Sequence, residues 1–476
     1  MYMERAYHRH ALLIVGALLV VYSLAGWYFW SVEKAAYDPT YGFPIVNGGD
    51  SESYAFLAGN MLENGVFSSS KEAPFVAEMF RSPGYPAFLV PFLFAFDSFI
   101  PVVFVQVILV ILSALLVYAI GRSLYSEKIA LGTALVFALN PAIIFYTFTI
   151  LSDILFLFLF LAAIYLLFFR THTSPYSTYL SIALGALILG YAILVRPAGL
   201  YSVWIILPFI VLWYASKTGI KKALVCALVF GIFSLSALVP WYLRNYSHSG
   251  SAALSSIGPY TLLFYNVAGF LGSKEGRGAD DMKEEIREAE FPQVTRDDLQ
   301  SGRYTKEINH VAARYIQEDP VNYALYHSLG SINFFLASSF KDVSNESAQF
   351  REFLLSTPLL GEDQVSLRER LNTGLLKGAF SVVALEPLFS LERLWWLLVS
   401  LCAAMAPLLF WRNKDSRLVM LFFFFLVGYF ALIFGPVSYP RYRIASEPFL
   451  LLLAAGTLSV MIPYVRQKFS GTFSRT

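Results

Sequence analysis

Residues able to do chemistry recur in this sequence at the ends of long apolar runs. They are Asp50 and Glu52, Arg81, Asp153, Arg196, Arg244, Arg441 and Arg443. A carboxylate in hydrogen-bond reach of a hydroxyl is a general base. The planar fork of a guanidinium suits a phosphate. Each residue also has an ordinary structural role open to it. Asp50, in Asn47-Gly48-Gly49-Asp50-Ser51-Glu52, and Asp153, in Thr149-Ile150-Leu151-Ser152-Asp153, can cap helices. Arg81 can snorkel to lipid headgroups. For Asp50 the two roles are compatible, because two glycines and a helix terminus can present carboxylates toward a cleft at a membrane surface.

The elements that would carry these residues follow from local pattern. After Asp50, the residues Tyr54, Leu57, Ala58, Met61 and Leu62 fall on one helix face, and Asn64-Gly65 is a stop. Phe80-Arg81-Ser82-Pro83-Gly84-Tyr85-Pro86 bends the chain toward the next apolar segment, since two prolines and a glycine restrict it. Val239-Pro240-Trp241-Tyr242-Leu243-Arg244-Asn245-Tyr246 follows a span with aromatic anchors, and Tyr439-Pro440-Arg441-Tyr442-Arg443 has the same layout. Arg196-Pro197 separates two apolar runs and is expected to be a tight outer turn.

Composition sets where these elements lie. Of 476 residues, 57% are hydrophobic and 14% charged, against about 25% charged in a soluble domain. With mean hydropathy at +0.59, this excludes a soluble globular enzyme, a disordered chain and a nucleic-acid binder. Cys226 and Cys402 both sit in apolar runs, so no disulfide framework is expected. A spanning helix needs about 20 mostly apolar residues. Ten runs qualify: 11–30, 98–121, 128–147, 154–170, 178–195, 197–214, 222–241, 392–411, 416–434 and 446–464. The first ends in the aromatic belt Trp27-Tyr28-Phe29-Trp30 and is expected to be an uncleaved anchor. The expected fold is an all-α polytopic membrane protein of about ten transmembrane helices.

Charge orients it. With both termini cytoplasmic, the inner segments hold 14 basic residues and three acids, which the positive-inside rule favours. The net charge of +2 then divides into +11 inside and −9 outside. The expected organisation is an N-terminal transmembrane core over 1–241, an extracytoplasmic segment over 242–391, and C-terminal helices with a cytoplasmic tail over 392–476. Residues 31–97 form an outer loop with an amphipathic helix. In the long segment, Asp280-Asp281-Met282-Lys283-Glu284-Glu285 reads as a solvated helix face. Tyr304, Ile308, Val311, Ala312, Tyr315 and Ile316 share one helix face that should stop before Asp319-Pro320. Residues 323–339 are apolar enough to lie in the interface or re-enter the membrane.

The set resembles the GT-C superfamily of integral-membrane glycosyltransferases, and within it the bacterial family 39/83 type, related to protein O-mannosyltransferases and the lipid A aminoarabinose transferase. The matching pieces are Gly49-Asp50-Ser51-Glu52-Ser53-Tyr54, Arg81-Ser82-Pro83-Gly84-Tyr85-Pro86, Ser152-Asp153, Arg196-Pro197, Pro240 to Tyr246 and Arg441-Tyr442-Arg443. The resemblance implies an inverting transfer of a sugar from a polyprenyl-phosphate donor to a lipid, glycan or protein acceptor at the outer face of the plasma membrane. It assigns Asp50 as general base and Asp153 as a second outer acid, both catalytic, with the outer loop 31–97 as the catalytic loop. It points to Arg81, and to Arg244, Arg441 and Arg443, for the donor phosphate. Glu52, Tyr54 and Tyr85 are candidates for positioning acceptor or donor. Ser51 separates Asp50 from Glu52, where eukaryotic protein mannosyltransferases have an adjacent Asp-Glu pair. The superfamily admits a divalent metal between Asp50 and Asp153, and hard oxygen ligands would suit magnesium, calcium or manganese. The six histidines show no ligand spacing, so no metal is assigned. Without a G-x-G-x-x-G nucleotide motif, a nucleotide-sugar donor is not expected. A transporter or flippase of lipid-linked glycans is the alternative function. Transporters, however, keep charges near the bilayer midplane.

Overall fold

The computed structural model describes residues 2–32, 37–38, 43–44, 48–171, 174–340 and 387–473. Among the described residues the regular structure is helical, apart from a two-residue antiparallel pair at Tyr37–Asp38 and Phe43–Pro44 and an isolated bridge between Ser68 and Ala77. The first group of helices is α1 (Tyr2–Val32), α2 (Gly48–Glu63), α3 (Gly84–Phe96), α4 (Ile100–Leu124), α5 (Glu127–Ala138), α6 (Pro141–Thr147), α7 (Asp153–Ile164), α8 (Pro175–Val195), α9 (Val203–Thr218) and α10 (Ile220–Ser249). Shorter helices follow: α11 (Ile257–Thr261), α12 (Ala268–Glu275), α13 (Ala279–Glu290), α14 (Arg296–Gln300), α15 (Thr305–Glu318), α16 (Pro320–Gly330) and α17 (Ile332–Leu336). The last group is α18 (Pro387–Leu409), α19 (Lys414–Phe434), α20 (Pro440–Arg443) and α21 (Glu447–Phe473).

All ten apolar runs coincide with helices, but they are not ten equal spans. Among the described residues, eight helices are long and apolar enough to cross a bilayer. Helices α5 and α6, bent by 54°, make a ninth when joined. The run at 154–170 becomes α7 with a π-helical extension, Asp153–Phe169, which is shorter than the others. Helix α3 is a second short apolar helix, inside what the sequence suggested was outer loop. Pro86 sits in its first turn, where a missing N–H costs nothing, and Pro91 lies inside the helix without ending it.

Helix α10 runs past the expected boundary at 241 and carries the Trp241 to Tyr246 motif on its last turns, ending at Gly250 with φ +68. Beyond it, α11 to α17 form an outer unit; α11 to α16 have their own core, including Leu263, Phe264, Val267, Phe270, Met282 and Ile308, while α17 places Phe334 in the core of the membrane helices. Helix α15 stops at Glu318 before Asp319-Pro320, as the spacing requires. Residues 320–336 are two short helices broken at Ser331, neither long enough to span. The rest of the 242–391 segment, 341–386, lies outside the described residues, as do the loop residues 33–36, 39–42 and 45–47.

Two tight contacts set the outer end of the membrane core. At the start of α3, Gly84 lies against the end of α8, where an added methyl would come within 2.5 Å of the Val195 nitrogen. Tyr191 donates its hydroxyl to the Gly84 carbonyl at 2.9 Å. Arg81 and Arg196 are thereby carried on adjoining segments.

The second contact is a fully buried ion pair. Arg443 Nε donates to Glu447 at 3.0 Å, and Arg443 Nη1 donates to the carbonyls of Phe334, Phe335 and Ala337. Asn140, which caps α6 at the bend, donates to the other Glu447 oxygen at 2.6 Å. Glu392 on α18 accepts from Ser338, Ser339 and Phe340. These bonds join the bent helix pair, the outer unit and the last helices. Removing one member of a buried pair leaves an uncompensated charge, whereas removing both is often tolerated. Glu447→Leu is therefore expected to lower stability by about 3–5 kcal/mol. The double variant Arg443→Met/Glu447→Leu should recover most of that loss, as equilibrium unfolding in mild detergent would measure.

Candidate active site at one end of the membrane helices

Five charged side chains from five segments form one chain of ion pairs. Arg81 donates to Asp50 at 2.6 Å, and Arg441 donates to the other Asp50 oxygen at 2.9 Å. Arg441 also reaches Asp153 at 2.9 Å, and Arg196 donates to the second Asp153 oxygen. The order is Arg81, Asp50, Arg441, Asp153, Arg196. Three cations against two anions leave one excess positive charge. Arg81 adds a buried Nε with no hydrogen-bond partner among the described residues.

Local structure explains how these residues meet. Asp50 lies in the first turn of α2 and Asp153 is the first residue of α7, positions where the helix dipole favours a negative charge. Neither acts as the helix cap that local sequence allows. The cap position before α7 is Ser152, which makes no capping bond, and Asp153 turns to the two arginines. Arg196 ends α8 in an extended conformation, followed by a 3-10 turn at Pro197–Ser202, so its side chain leaves the helix line. Arg441 sits on the four-residue helix α20.

Polar and aromatic residues support the cluster from below. Gln106, buried in the middle of the apolar helix α4, donates to the carbonyls of Thr147 and Thr149 at 2.8 and 2.9 Å. It thus satisfies the irregular stretch between α6 and α7 that leads into Asp153. Tyr85 donates to Gln106 at 3.1 Å, and its ring meets Tyr54 edge-on at 5.0 Å. Tyr54 carries the Arg81 guanidinium over its face at 5.4 Å and shares a hydrogen bond with Ser152 at 3.3 Å. Arg196 lies over Tyr442 and Phe434, which stack in parallel at 4.4 Å. Arg441 lies over Tyr146.

Exposure separates the two acids. The Asp50 side chain is 32% exposed and Asp153 only 2%. Asp50 can meet an incoming group, while Asp153 can only hold its arginines. Burial pushes the Asp50 carboxyl up, but the neighbouring guanidiniums of Arg81 and Arg441 outweigh it and hold the group well below the usual carboxylate range.

The structure brings together Asp50, Asp153, Arg81 and Arg441, with Tyr54 and Tyr85 beneath them. It does not bring Glu52, which is exposed and makes no hydrogen bond or ion pair among the described residues. Arg443, expected near a phosphate, is instead fully buried in its pair with Glu447, because α20 turns it away from Arg441. Arg244 directs its fork onto backbone carbonyls of the outer loop rather than into the cluster. Arg196, named among the charged residues of the sequence without an assigned role, is the first addition to the site, and Gln106, not named there, is the second. A lone glutamine inside an apolar span was the signal for the second, since polar groups in such helices are costly.

A divalent cation does not fit this arrangement. Each oxygen of Asp50 and Asp153 already faces a guanidinium. Among the described residues, no three His, Cys, Asp or Glu side chains lie close enough to hold a metal.

Residues 83–242, about a third of the chain, match the family model described as dolichyl-phosphate-mannose-protein mannosyltransferase. That stretch includes Asp153 and Arg196, and leaves Asp50, Arg81 and Arg441 outside. No curated protein matches the chain by sequence. Among solved structures, the archaeal oligosaccharyltransferase AglB from Archaeoglobus fulgidus, in complex with an inhibitory peptide and a dolichol-phosphate, aligns with a TM-score of 0.50 at 14% identity. The alignment covers 96% of this chain and 51% of AglB. The chain is therefore similar to a mannosyltransferase family over a third of its length and shares the fold of the archaeal oligosaccharyltransferase. It is an integral membrane protein, and it spans about half the length of the archaeal oligosaccharyltransferase. ArnT from Cupriavidus metallidurans, bound to undecaprenyl phosphate, aligns more distantly, with a TM-score of 0.38 and 12% identity over 94% of this chain and 77% of its own.

Proposed function

We propose that this protein is an inverting glycosyltransferase of the GT-C superfamily. It moves a sugar from a polyprenyl-phosphate donor to a lipid, glycan or protein acceptor at the extracytoplasmic face of the plasma membrane. Both termini are cytoplasmic in this reading, on the strength of the basic inner segments. The observation that carries it is the cationic ion-pair chain at the ends of membrane helices, with one excess positive charge and one accessible carboxylate. The dolichol-phosphate seen with the archaeal oligosaccharyltransferase of similar fold supports the donor class.

The chemistry follows from the residues present. The acceptor hydroxyl attacks the anomeric carbon from the face opposite the phosphate, and the bond from that carbon to the phosphate oxygen breaks. Its electron pair leaves on the phosphate, which departs as polyprenyl phosphate. The acceptor proton passes to Asp50. A phosphate leaving group needs no strong acid, but it needs charge stabilisation, which Arg81 and Arg441 supply. Their guanidiniums move from Asp50 to the phosphate, so the donor itself frees the base. Asp153 keeps Arg196 and Arg441 aimed. The crevice beside Asp153, Arg196 and Arg441 has walls of Phe156, Phe430 and Phe434, so the charged cluster borders an apolar surface; at about 10 Å³ it has room for no more than a water and must widen to admit a phosphate.

Binding tests this directly. Undecaprenyl phosphate should bind the purified protein in detergent, and undecaprenol, which lacks the phosphate, should bind at least tenfold more weakly, since a charge-assisted pair is worth about 1.5–3 kcal/mol. Equal binding of the two lipids would contradict a phosphate site.

A further inference from the structure

We propose that Arg244 is a positioning residue for Arg81, acting with Trp241 and Asn245 of the same helix end, and that it is not itself a phosphate ligand. This rests on the reading of Arg81 as a donor-phosphate residue.

The last turns of α10 form a clamp on the outer loop. Arg244 Nη1 donates to the Glu78 carbonyl at 2.5 Å and to Asn245 Oδ1 at 2.9 Å, and Nη2 donates to the Phe67 carbonyl at 3.2 Å. Its guanidinium plane lies over Trp241 at 4.6 Å and Phe67 at 5.5 Å. Those two carbonyls belong to strands of the loop that already touch, since the Glu78 N–H donates to the Phe67 carbonyl at 3.0 Å. A single planar fork therefore fixes both sides of the turn before Arg81.

Glu78 passes that constraint on. Its carboxylate accepts the Phe80 N–H at 2.6 Å and the Arg81 N–H at 3.0 Å, so it sets the backbone from which the Arg81 side chain departs. The outer unit grips the same stretch from the other side. Ser255 Oγ donates to the Phe80 carbonyl at 2.6 Å, and the Ser256 N–H donates to the Met79 carbonyl at 2.9 Å. Asn245 and Trp241 in turn hold the approach to Ser255 through the carbonyls of Ala253 and Leu254. The Pro-Trp-x-x-Arg-Asn pattern of residues 240–245 thus has a mechanical purpose. It registers the segment 78–81 between helix α10 and the outer unit, and with it the Arg81 fork on Asp50.

A double-mutant cycle reads this as coupling. The probe is undecaprenyl phosphate binding in detergent, in parallel with thermal unfolding. Arg244→Gln is expected to weaken binding about tenfold in the parent protein and to change it less than twofold when Arg81 is already Gln. Arg244→Lys should weaken binding nearly as much as Gln, because an ammonium cannot bridge two carbonyls. Ser255→Ala, which loosens the same stretch without removing a charge, should weaken binding in the same direction and should likewise lose its effect in the Arg81→Gln background. Equal weakening by Arg244→Gln in both backgrounds, or full retention of binding in Arg244→Lys, would overturn the positioning role. If Arg81→Gln alone leaves binding unchanged, the phosphate reading beneath it fails instead.

Discussion

Asp50→Asn is expected to lower the turnover of sugar transfer by about 10²–10⁴-fold, the range typical for loss of a general base, while donor binding tightens. The two effects have one origin. In the ion-pair chain Asp50 competes with the donor phosphate for Arg81 and Arg441, at 2.6 and 2.9 Å. Asparagine keeps the shape, removes the competing charge and removes the proton acceptor. A variant that lost only structural support would bind donor less well, so a fall in kcat accompanied by a fall in KM identifies a base. The pH profile carries the same information. Because its guanidinium neighbours outweigh burial, Asp50 is held well below the usual carboxylate range near 3.9. The acid limb of kcat/KM, which reports the free enzyme, should therefore lie below that value. The linked stability has a definite sign. A depressed carboxyl stabilises the folded state above its unfolded pKa, and that stabilisation is lost as pH falls below about 4 toward the folded value.

Arg441→Gln should cost both stability and activity, because Arg441 is the one cation shared by both acids. It is 13% exposed and Asp153 is 2% exposed, so its loss leaves a buried carboxylate with Arg196 alone. Breaking such a pair costs about 3–5 kcal/mol. Transfer should also fall by about 10²–10³-fold, as when a stabilising donor is removed from a developing anion. Arg441→Lys should recover little of either, since an ammonium cannot span Asp50 and Asp153 together. Equilibrium unfolding and steady-state transfer on the same preparations measure the two losses separately.

Arg441 and Arg443 show what a sequence can and cannot disclose. They are two residues apart in one motif, yet on a helix two residues differ by about 200° around the axis. One therefore enters the charge cluster and the other the buried pair with Glu447. Nothing in the local pattern distinguishes them, because the difference lies in which distant segments pack against α20. Arg196 shows the same limit. Its proline neighbour marks a turn, but its partner Asp153 is 43 positions earlier, and no local periodicity encodes that pairing. The membrane helices were legible because lipid leaves the backbone no partner but itself, which forces long apolar runs. Asp50 stood out through the two glycines before it and the helical spacing after it. Gln106 could have been found, as a polar residue inside a span. The clamp at Trp241, Arg244 and Asn245 was visible as a motif, but its grip on residues 67 and 78 needed the tertiary structure.

The central claim is that Asp50 and its arginines transfer a sugar from a polyprenyl phosphate. It is tested most directly by mass spectrometry of cell-envelope lipids, glycans and glycoproteins from cells carrying the parent protein or Asp50→Asn at equal abundance. The account predicts that the variant lacks one sugar-bearing species and accumulates the corresponding polyprenyl-phosphate sugar. Identical products in both, or an unchanged set of glycosidic bonds with only the sidedness of the lipid-linked sugar altered, would contradict it and point to transport instead.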